Sequence, residues 1–522
     1  MVFTSPFPDV AIPEVPLTQF LFAGAATRAD KPALIDGPTG RTLTYGQLVG
    51  AIRLVAASLA KRGLKKGDVF AIYSPNLPEY AVAFHAVASL GAINTTVNPL
   101  YTAHELANQL RDAGARFLLT IPQFLPNALA AAEEVGGIEE IFVFGEAEGA
   151  TPFASLLKSD GQLPPVEINP KEDLVVLPYS SGTTGFPKGV MLTHYNLVAN
   201  IAQCVATPSS PENEVRESDI VLGLLPFYHI YGMVVIMSWA LYKGATVVTM
   251  PRFDMEQFLG TLQKYSITNA ILVPPIILGL AKHPIVAQYD LSKLRLVVSG
   301  AAPLGAELEE AVHRRLNVSV MQGYGMTESS PVTHFRGLTP PGKPKGGSVG
   351  APVPNTKVRV VDVATGEDLG PNQDGELLIW GPQVMKGYLN NPGATAATVD
   401  AEGWLHTGDI GYADEDCYFW IVDRVKELIK YNAYQVAPAE LEAILVTHPA
   451  VADAAVVGVR DEAAGELPKA FVVRRGEVTE DEIMAFIAER VAPYKRIRIV
   501  EFIDQVPKSP TGKILRRMLK AM

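Results

Sequence analysis

Short apolar runs alternate with longer amphipathic stretches through most of this chain, and no other feature restricts its fold as much. Residues 70–74, 117–120, 141–143, 246–249, 270–273 and 296–299 are apolar or weakly polar and carry no charge. A strand buried on both faces has this pattern, because neither face meets water. Between these runs, residues 45–62 and 80–90 repeat their apolar positions at helical spacing. Strands alternating with helices predict parallel sheets covered by helices on both faces. From about Gly347 the runs become shorter and turn-separated, as in VRVVD and GELLIWG, which predicts a small β-rich subdomain. After Val422 the chain returns to an α+β pattern with more charge, as in ELEAILVTHPAVADAAVVGV. The expected architecture is α/β. A large N-terminal domain, residues 1–422, holds the parallel sheets and the β-rich subdomain, and a small α+β C-terminal domain spans residues 423–522.

Composition narrows the function classes. A chain of 522 residues is long enough for two to four domains at roughly 150 residues each. With 48% hydrophobic and 19% charged residues it has the makings of an ordinary folded core rather than of disorder. Lys and Arg number 44 against 55 Asp and Glu, a net charge of −11. That balance argues against a nucleic-acid partner or an anionic membrane surface, and leaves room for a local basic site that holds phosphates. Two cysteines, Cys204 and Cys417, are too few for a disulfide framework or a cysteine zinc site, so a reducing, cytoplasmic setting is expected. The nine histidines show no metal-ligand spacing. The first residues, MVFTSPFPDVAIPEVP, lack a basic start followed by an apolar stretch, so no signal peptide is read. Residues 220–242 carry no charge other than at His229 and could pass for a membrane span. Pro226, Tyr228, His229 and Tyr231 interrupt them and no Lys/Arg cluster flanks them, which predicts a buried strand followed by a core helix.

One stretch stands out for its chemistry: Tyr179-Ser-Ser-Gly-Thr-Thr-Gly-Phe-Pro-Lys-Gly-Val190. It follows an apolar run at 174–177 and precedes a helical stretch opening near Thr193. Its Ser and Thr hydroxyls, glycines and lysine suit a loop that wraps polyphosphate, with N–H and O–H groups donating to phosphate oxygens and the lysine neutralising charge. The usual P-loop spacing fails here, because Lys188 is followed by Gly189-Val190, and no G-x-S-x-G nucleophile elbow is present. Further along stand Gly300-Ala-Ala-Pro303, Gly323-Tyr-Gly-Met-Thr-Glu328, Trp404-Leu-His-Thr-Gly-Asp409, Asp423-Arg-Val-Lys426 and Pro507-Lys-Ser-Pro-Thr-Gly-Lys513.

From LTYGQL at residues 43–48 to PKSPTGKILRR at residues 507–517, these motifs in this order resemble the acyl-adenylate-forming enzymes. That superfamily comprises acyl- and aryl-CoA synthetases, luciferases and the adenylation domains of peptide synthetases. Within it the chain looks most similar to 4-coumarate–CoA ligases and related bacterial aryl-CoA ligases. The resemblance implies an AMP-forming acid–thiol ligase that uses ATP, Mg²⁺ and CoA, with a mobile C-terminal domain. Ser180, Ser181, Gly182, Thr183, Thr184, Gly185 and Lys188 would cradle the phosphates of ATP. Thr327 would contact the α-phosphate and Glu328 would hold Mg²⁺, a hard cation that prefers oxygen ligands. Asp409 would accept both ribose hydroxyls and Arg424 would approach ribose and phosphate. Gly300, Ala301, Ala302, Gln322, Gly323 and Tyr324 would form the adenine wall, with Ile421 opposite and Gln435 also near the nucleotide. Lys426 would be the hinge. Lys513 would be the catalytic lysine, a cation brought to the charge that builds during adenylation. His229, in LPFYHIYG, would orient the carboxylate or gate thiol entry.

By the same resemblance the acid pocket is lined by His229, Tyr231, Val235, Val298, Gly300, Ala301, Gly323, Pro331 and Val332. The apolar members offer no charge to pair an amino group or a second carboxylate, which disfavours an amino-acid substrate. A cinnamate-type aromatic acid fits, and so does a medium-chain fatty acid. Lys430, Asn432 and Ala433 would face CoA in the second step. There the chain departs from its relatives: Lys430-Tyr-Asn-Ala-Tyr-Gln435 has Asn and Ala where the family has Lys and Gly. A methyl group could narrow the thiol tunnel, so an amide synthetase that passes the adenylate to an amine stays an alternative. The expected partners are small molecules only, with no nucleic acid and no membrane span, and the expected state is a monomer or a weak homodimer.

Overall fold

The computed structural model describes residues 1–180, 187–209, 213–336, 345–431, 434–461, 464–491, 493–509 and 512–522. Among these residues the chain builds four sheets. One eight-stranded sheet has at its centre Leu174–Ser180, Ile93–Val97, Val69–Tyr73, Ala115–Thr120 and Glu140–Val143, which run parallel. Lys188–Thr193 and then Gly387–Tyr388 extend it antiparallel on the Leu174–Ser180 side. A nine-stranded sheet runs parallel through Ser319–Gly325, Leu296–Ser299, Asn269–Leu272, Ile220–Gly223, Thr246–Thr249 and Pro32–Asp36. The two sheets share one extensive apolar core. The uncharged runs in the sequence are these parallel strands, buried on both faces as their composition requires.

The helices between them begin where the sequence signals a start. Tyr45–Lys61 is opened by Thr44, whose hydroxyl accepts from the Gln47 N–H while the Gln47 side chain accepts from the Thr44 N–H, a reciprocal cap. Thr193 opens His194–Ala206 in the same way with Asn196. The helix expected over 80–90 is Pro78–Ser89, with proline in its first turn, where the missing N–H costs nothing. The uncharged stretch 220–242 is the strand Ile220–Gly223, then a π-helical segment Tyr231–Ser238 that passes into Trp239–Tyr242. No helix among the described residues is long and apolar enough to cross a membrane.

Beyond Gly347 the expected β-rich unit is a five-stranded antiparallel sheet. It contains Lys357–Val361, Gly375–Trp380, Leu405–Ala413 and Phe419–Arg424, with Val2–Thr4 from the far end of the chain on its edge. The remaining sheet pairs Val451–Asp461 with Gly465–Arg474, flanked by Ile429–Tyr431, Tyr434–Val436 and Ile499–Phe502. Val456 and Val472 of this sheet pack with Leu441 and Ile483 of the helices Pro438–Leu445 and Glu480–Ala488 in a core of their own.

Candidate active site

The ends of the parallel strands, the β-rich sheet and the last hundred residues converge on one cavity of about 2090 Å³. Open α/β sheets place their ligand crevices at such strand ends, where connecting loops splay apart. Ser180 ends one strand and Lys188 begins its antiparallel neighbour, directly opposite it in register. Ser181, Gly182, Thr183, Thr184 and Gly185, assigned to the phosphate loop, lie outside the described residues. Beside this strand pair, the 3₁₀ turn Thr327–Ser329 presents Glu328. Its carboxylate Oε1 accepts from the Ser180 hydroxyl at 2.9 Å and from the Tyr388 hydroxyl at 2.8 Å. The Lys188 ammonium stands 4.9 Å from the centre of the Tyr388 ring. A lysine, a carboxylate, two hydroxyls and Thr327 therefore share one wall.

A second cluster surrounds Asp409. The carboxylate accepts from the Tyr324 hydroxyl at 2.7 Å and from Nε of Arg424 at 2.7 Å. The pairing of Asp409 with Arg424 across adjacent strands fixes this contact, because a one-residue slip would turn both side chains to the other face. Burial and the Asp409 charge push the Tyr324 phenol well above its usual range, so it stays a donor. Ile421 and Lys426 also line the cavity.

Lys513 reaches the same space from the C-terminal lobe. Gly512 makes this possible: it sits at φ +79°, and a Cβ there would come within 3.1–3.3 Å of Val273 and Pro275. A residue with a side chain would be strained in that backbone and pressed against the large lobe. Lys282 of the large lobe donates to the Val446 carbonyl, a further tie between the lobes. Burial, together with the charge of Arg424, lowers the pKa of Lys513. A polyanion placed between these cations would reverse the Coulombic part of that shift, so the lysine gains most when phosphate is bound.

Lys513 also bears on His229, whose pKa is lowered to about 4 by burial first and by this cation second. The Tyr231 backbone N–H donates to His229 Nδ1 at 3.3 Å. Nδ1 is thus the acceptor, and a neutral ring carries its proton on Nε2, free to donate to a carboxylate oxygen. A base with a lowered pKa stays uncharged above that value, so mild acid does not ionise it. The His229 ring resonances are expected to stay flat in NMR from about pH 5.5 to about pH 8, whereas an ordinary histidine titrates there.

Tyr231, Val235 and Trp239 follow at intervals of four along the π-to-α segment and line a branch of the cavity with Val298, Gly300, Ala301, Gly323, Pro331 and Val332. Local insertions of π-helix recur at functional sites because they re-aim one helix face. The Tyr231 ring lies on Gly300, where a Cβ would meet its Cζ and Oη at 2.6 Å. Gly300→Ala is expected to displace that ring and weaken binding in the apolar branch about tenfold, with a smaller change at the Asp409 and Lys188 end of the cavity. Steady-state kinetics with each substrate varied in turn tests this. Ala301 next to it holds φ at +68°, an uncommon backbone for a residue with Cβ.

Three assigned residues stand elsewhere. Gln322 is 2% exposed and lies behind the wall. Its amide accepts from the Leu304 N–H, donates to the Leu304 carbonyl and donates to Glu309, so it holds the loop that carries Ala301 and Ala302. Lys430 is exposed on the strand Ile429–Tyr431, outside the cavity wall. Gln435 pairs with it in the neighbouring strand, and Asn432 and Ala433 lie outside the described residues. Sequence reasoning missed Tyr388, 60 positions from the carboxylate it serves, and the pocket residues Cys204, Trp239 and Phe335. Only Trp239 left a signal, the i, i+4, i+8 spacing from Tyr231.

A fold of this kind with a polyphosphate wall, a hydroxyl-accepting carboxylate and an adjoining apolar branch is that of a nucleotide-activating ligase. The chain belongs to the AMP-binding enzymes: that family's model matches residues 21–389, and the model of the AMP-binding enzyme C-terminal domain matches residues 440–513. It is 47% identical over 527 residues to 4-coumarate–CoA ligase 5 of Oryza sativa subsp. japonica, covering 100% of this chain and 97% of that protein. It is 46% identical over 525 residues to the 4-coumarate–CoA ligase of Pinus taeda, with the same coverage. Among solved structures it resembles an anthranilate CoA ligase in complex with anthranoyl-AMP, with a TM-score of 0.90 at 28% identity and 98% of each chain covered. A benzoate CoA ligase from Burkholderia xenovorans LB400 gives a TM-score of 0.86 at 26% identity, covering 97% of this chain and 100% of that one.

Proposed function

We propose that this chain is an ATP-dependent acid–CoA ligase that forms an acyl-AMP and then an acyl-CoA, with a cinnamate-type acid such as 4-coumarate as its substrate. What carries the proposal is the meeting of Lys513, His229, Glu328 and Asp409 around one cavity whose apolar branch begins at Tyr231. In the first step a carboxylate oxygen of the acid attacks the α-phosphorus of ATP and pyrophosphate leaves. Neutral His229 donates to the carboxylate and fixes its approach. Asp409 accepts from the ribose hydroxyls, with Arg424 holding the carboxylate in place. Lys513 and Lys188 face the charge that accumulates on the phosphates, where fixed cations in a partly dry site are most effective. The adenylate exchanges a poor leaving group, oxide, for AMP. In the second step the CoA thiol, having lost its proton, attacks the acyl carbon and AMP leaves.

Magnesium fits this site as a companion of the nucleotide. Among the described residues no cluster of three or more His, Cys, Asp or Glu could hold a resident metal. One buried carboxylate beside phosphates is the usual protein share for Mg²⁺, and Glu328 is that carboxylate. When bound, the ion neutralises phosphate charge.

Two parts of the scheme depend on movement. We take residues 1–422 and 423–522 as the moving units, with Lys426 at the hinge. Lys430 is exposed and outside the cavity, while Lys513 is inside. A rotation that withdraws Lys513 would bring the face bearing Lys430, Asn432 and Ala433 to the adenylate, so that one site serves both steps. A monomer or weak homodimer and a reducing, cytoplasmic setting complete the proposal; both cysteines are free thiols and Cys204 is buried.

The buried Trp239 and Phe335, packed edge to face at 5.8 Å, line the cavity with the apolar residues, and two aromatic rings suit a flat ring better than a longer, flexible chain. Trp239→Leu is expected to extend the branch and raise kcat/KM for C10–C12 acids about tenfold while lowering it for 4-coumarate. A panel of acids assayed by thioester formation tests this. The main test is direct: with ATP, Mg²⁺ and CoA, 4-coumarate should yield a thioester and one pyrophosphate per turnover.

A further inference from the structure

Lys513 can stabilise adenylation only if the backbone that carries it is held still, because a lysine has four rotatable side-chain bonds and a strongly hydrated head. The hairpin that presents it closes on itself: the Ser509 N–H donates to the Lys513 carbonyl at 2.8 Å, and the Leu515 N–H to the Pro507 carbonyl at 2.9 Å. Two ion pairs tie its ends to the C-terminal lobe. On the entering side Lys508 pairs with Asp453 at 2.5 Å. On the leaving side, three residues past Lys513, Arg516 Nη2 donates to both oxygens of Glu442, at 2.7 and 2.8 Å. Arg516 Nε also donates to the Val456 carbonyl at 3.2 Å, and the Val456 N–H donates to Glu442 Oε1 at 2.8 Å. The second tie is the drier one, with both side chains 12% exposed. Helix Pro438–Leu445 and strand Val451–Asp461 are thus stapled to the exit of the lysine hairpin through one carboxylate.

We propose that Glu442 is a positioning residue for adenylation, holding Lys513 at the reacting centre through Arg516; this rests on the role given to Lys513 above. Both Glu442 oxygens are engaged by Arg516, so the carboxylate acts through the hairpin and not as an acid or base on substrate. Losing its charge takes from the guanidinium the carboxylate it grips, leaving Asp423 and Glu427 to offset its charge from without, and slackens the exit of the hairpin. The second step uses the other face of the lobe and needs no such alignment.

The test separates the two half-reactions. Glu442→Gln and Arg516→Lys enzymes are assayed for acid-dependent pyrophosphate release, and then for thioester formation from supplied acyl-AMP and CoA. The expected result for Glu442→Gln is a loss of about 20-fold in pyrophosphate release, with thioester formation within about twofold of wild type; a tenfold change corresponds to about 1.4 kcal/mol in the barrier. Arg516→Lys, which keeps the cation but cannot grip both oxygens, should lose less, in the same half only. Thioester formation reports at the same time that the lobe is folded. Equal losses in both halves for both variants, or no loss in either, would overturn the assignment alone. A wild-type enzyme inert with acid and ATP would overturn the ligase reading with it.

Discussion

Lys513→Ala lowers acid-dependent adenylation by about 10²–10³-fold, the range seen when one preorganised charge-stabilising group is removed from an active site. The expectation follows from position. Lys513 is half-buried between Arg424 and the His229 side of the cavity, and its pKa is lowered by desolvation and by neighbouring positive charge. Asp409 and Glu427 offset part of that cost, and a bound anion offsets more. In the adenylating step negative charge builds on the α-phosphate and the departing pyrophosphate, and a cation already in place needs no reorganisation. The same variant, supplied with acyl-AMP and CoA, should form thioester at close to the wild-type rate. A comparable fall in both half-reactions would mean that Lys513 acts on the fold of the lobe instead.

Asp409→Asn raises the KM for ATP by about 30–100-fold, a larger effect on nucleotide binding than any single apolar substitution would give. The carboxylate accepts from Tyr324 and Arg424 in the present arrangement, and its remaining acceptor capacity faces the cavity. An amide halves the acceptors and turns one end into a donor. That end would confront either the Tyr324 hydroxyl or Nε of Arg424, each itself a donor, and the half-buried arginine would lose its counter-charge. Ribose hydroxyls would then meet a mixed surface. Isothermal titration with ATP, or KM values at saturating acid, measures this; an unchanged KM would remove Asp409 from the nucleotide site.

Much of the architecture was legible because local and global preferences agree. The parallel strands announce themselves as uncharged runs, and Thr44 and Thr193 announce helix starts by their side-chain chemistry. The motif residues Lys188, Thr327, Glu328, Asp409, Arg424 and Lys513 sit far apart in sequence, yet all line one cavity. Other features depend on packing that no spacing encodes. Tyr388 belongs to a two-residue strand with no motif of its own, and meets Glu328 only because Gly387–Tyr388 extends the sheet beside Lys188–Thr193. Phe335 and Cys204 lie in apolar surroundings where a core residue and a pocket residue look alike. The resemblance alone puts Gln322 in the adenine wall. The Leu304 backbone and Glu309 take up its amide, and these partners come from the loop and helix that follow the neighbouring strand. The strand Phe419–Arg424 runs into residues 423–426, where the sequence changes character, so Asp423 and Arg424 still pair within the β-rich sheet.

The measurement that bears most directly on the central claim is pyrophosphate release with ATP, Mg²⁺ and 4-coumarate, run with and without CoA and with the acyl product analysed. Turnover that requires CoA and yields one coumaroyl thioester per pyrophosphate is the predicted result. Pyrophosphate released equally without CoA, with no thioester formed, would contradict it and make an added amine the next acceptor to test.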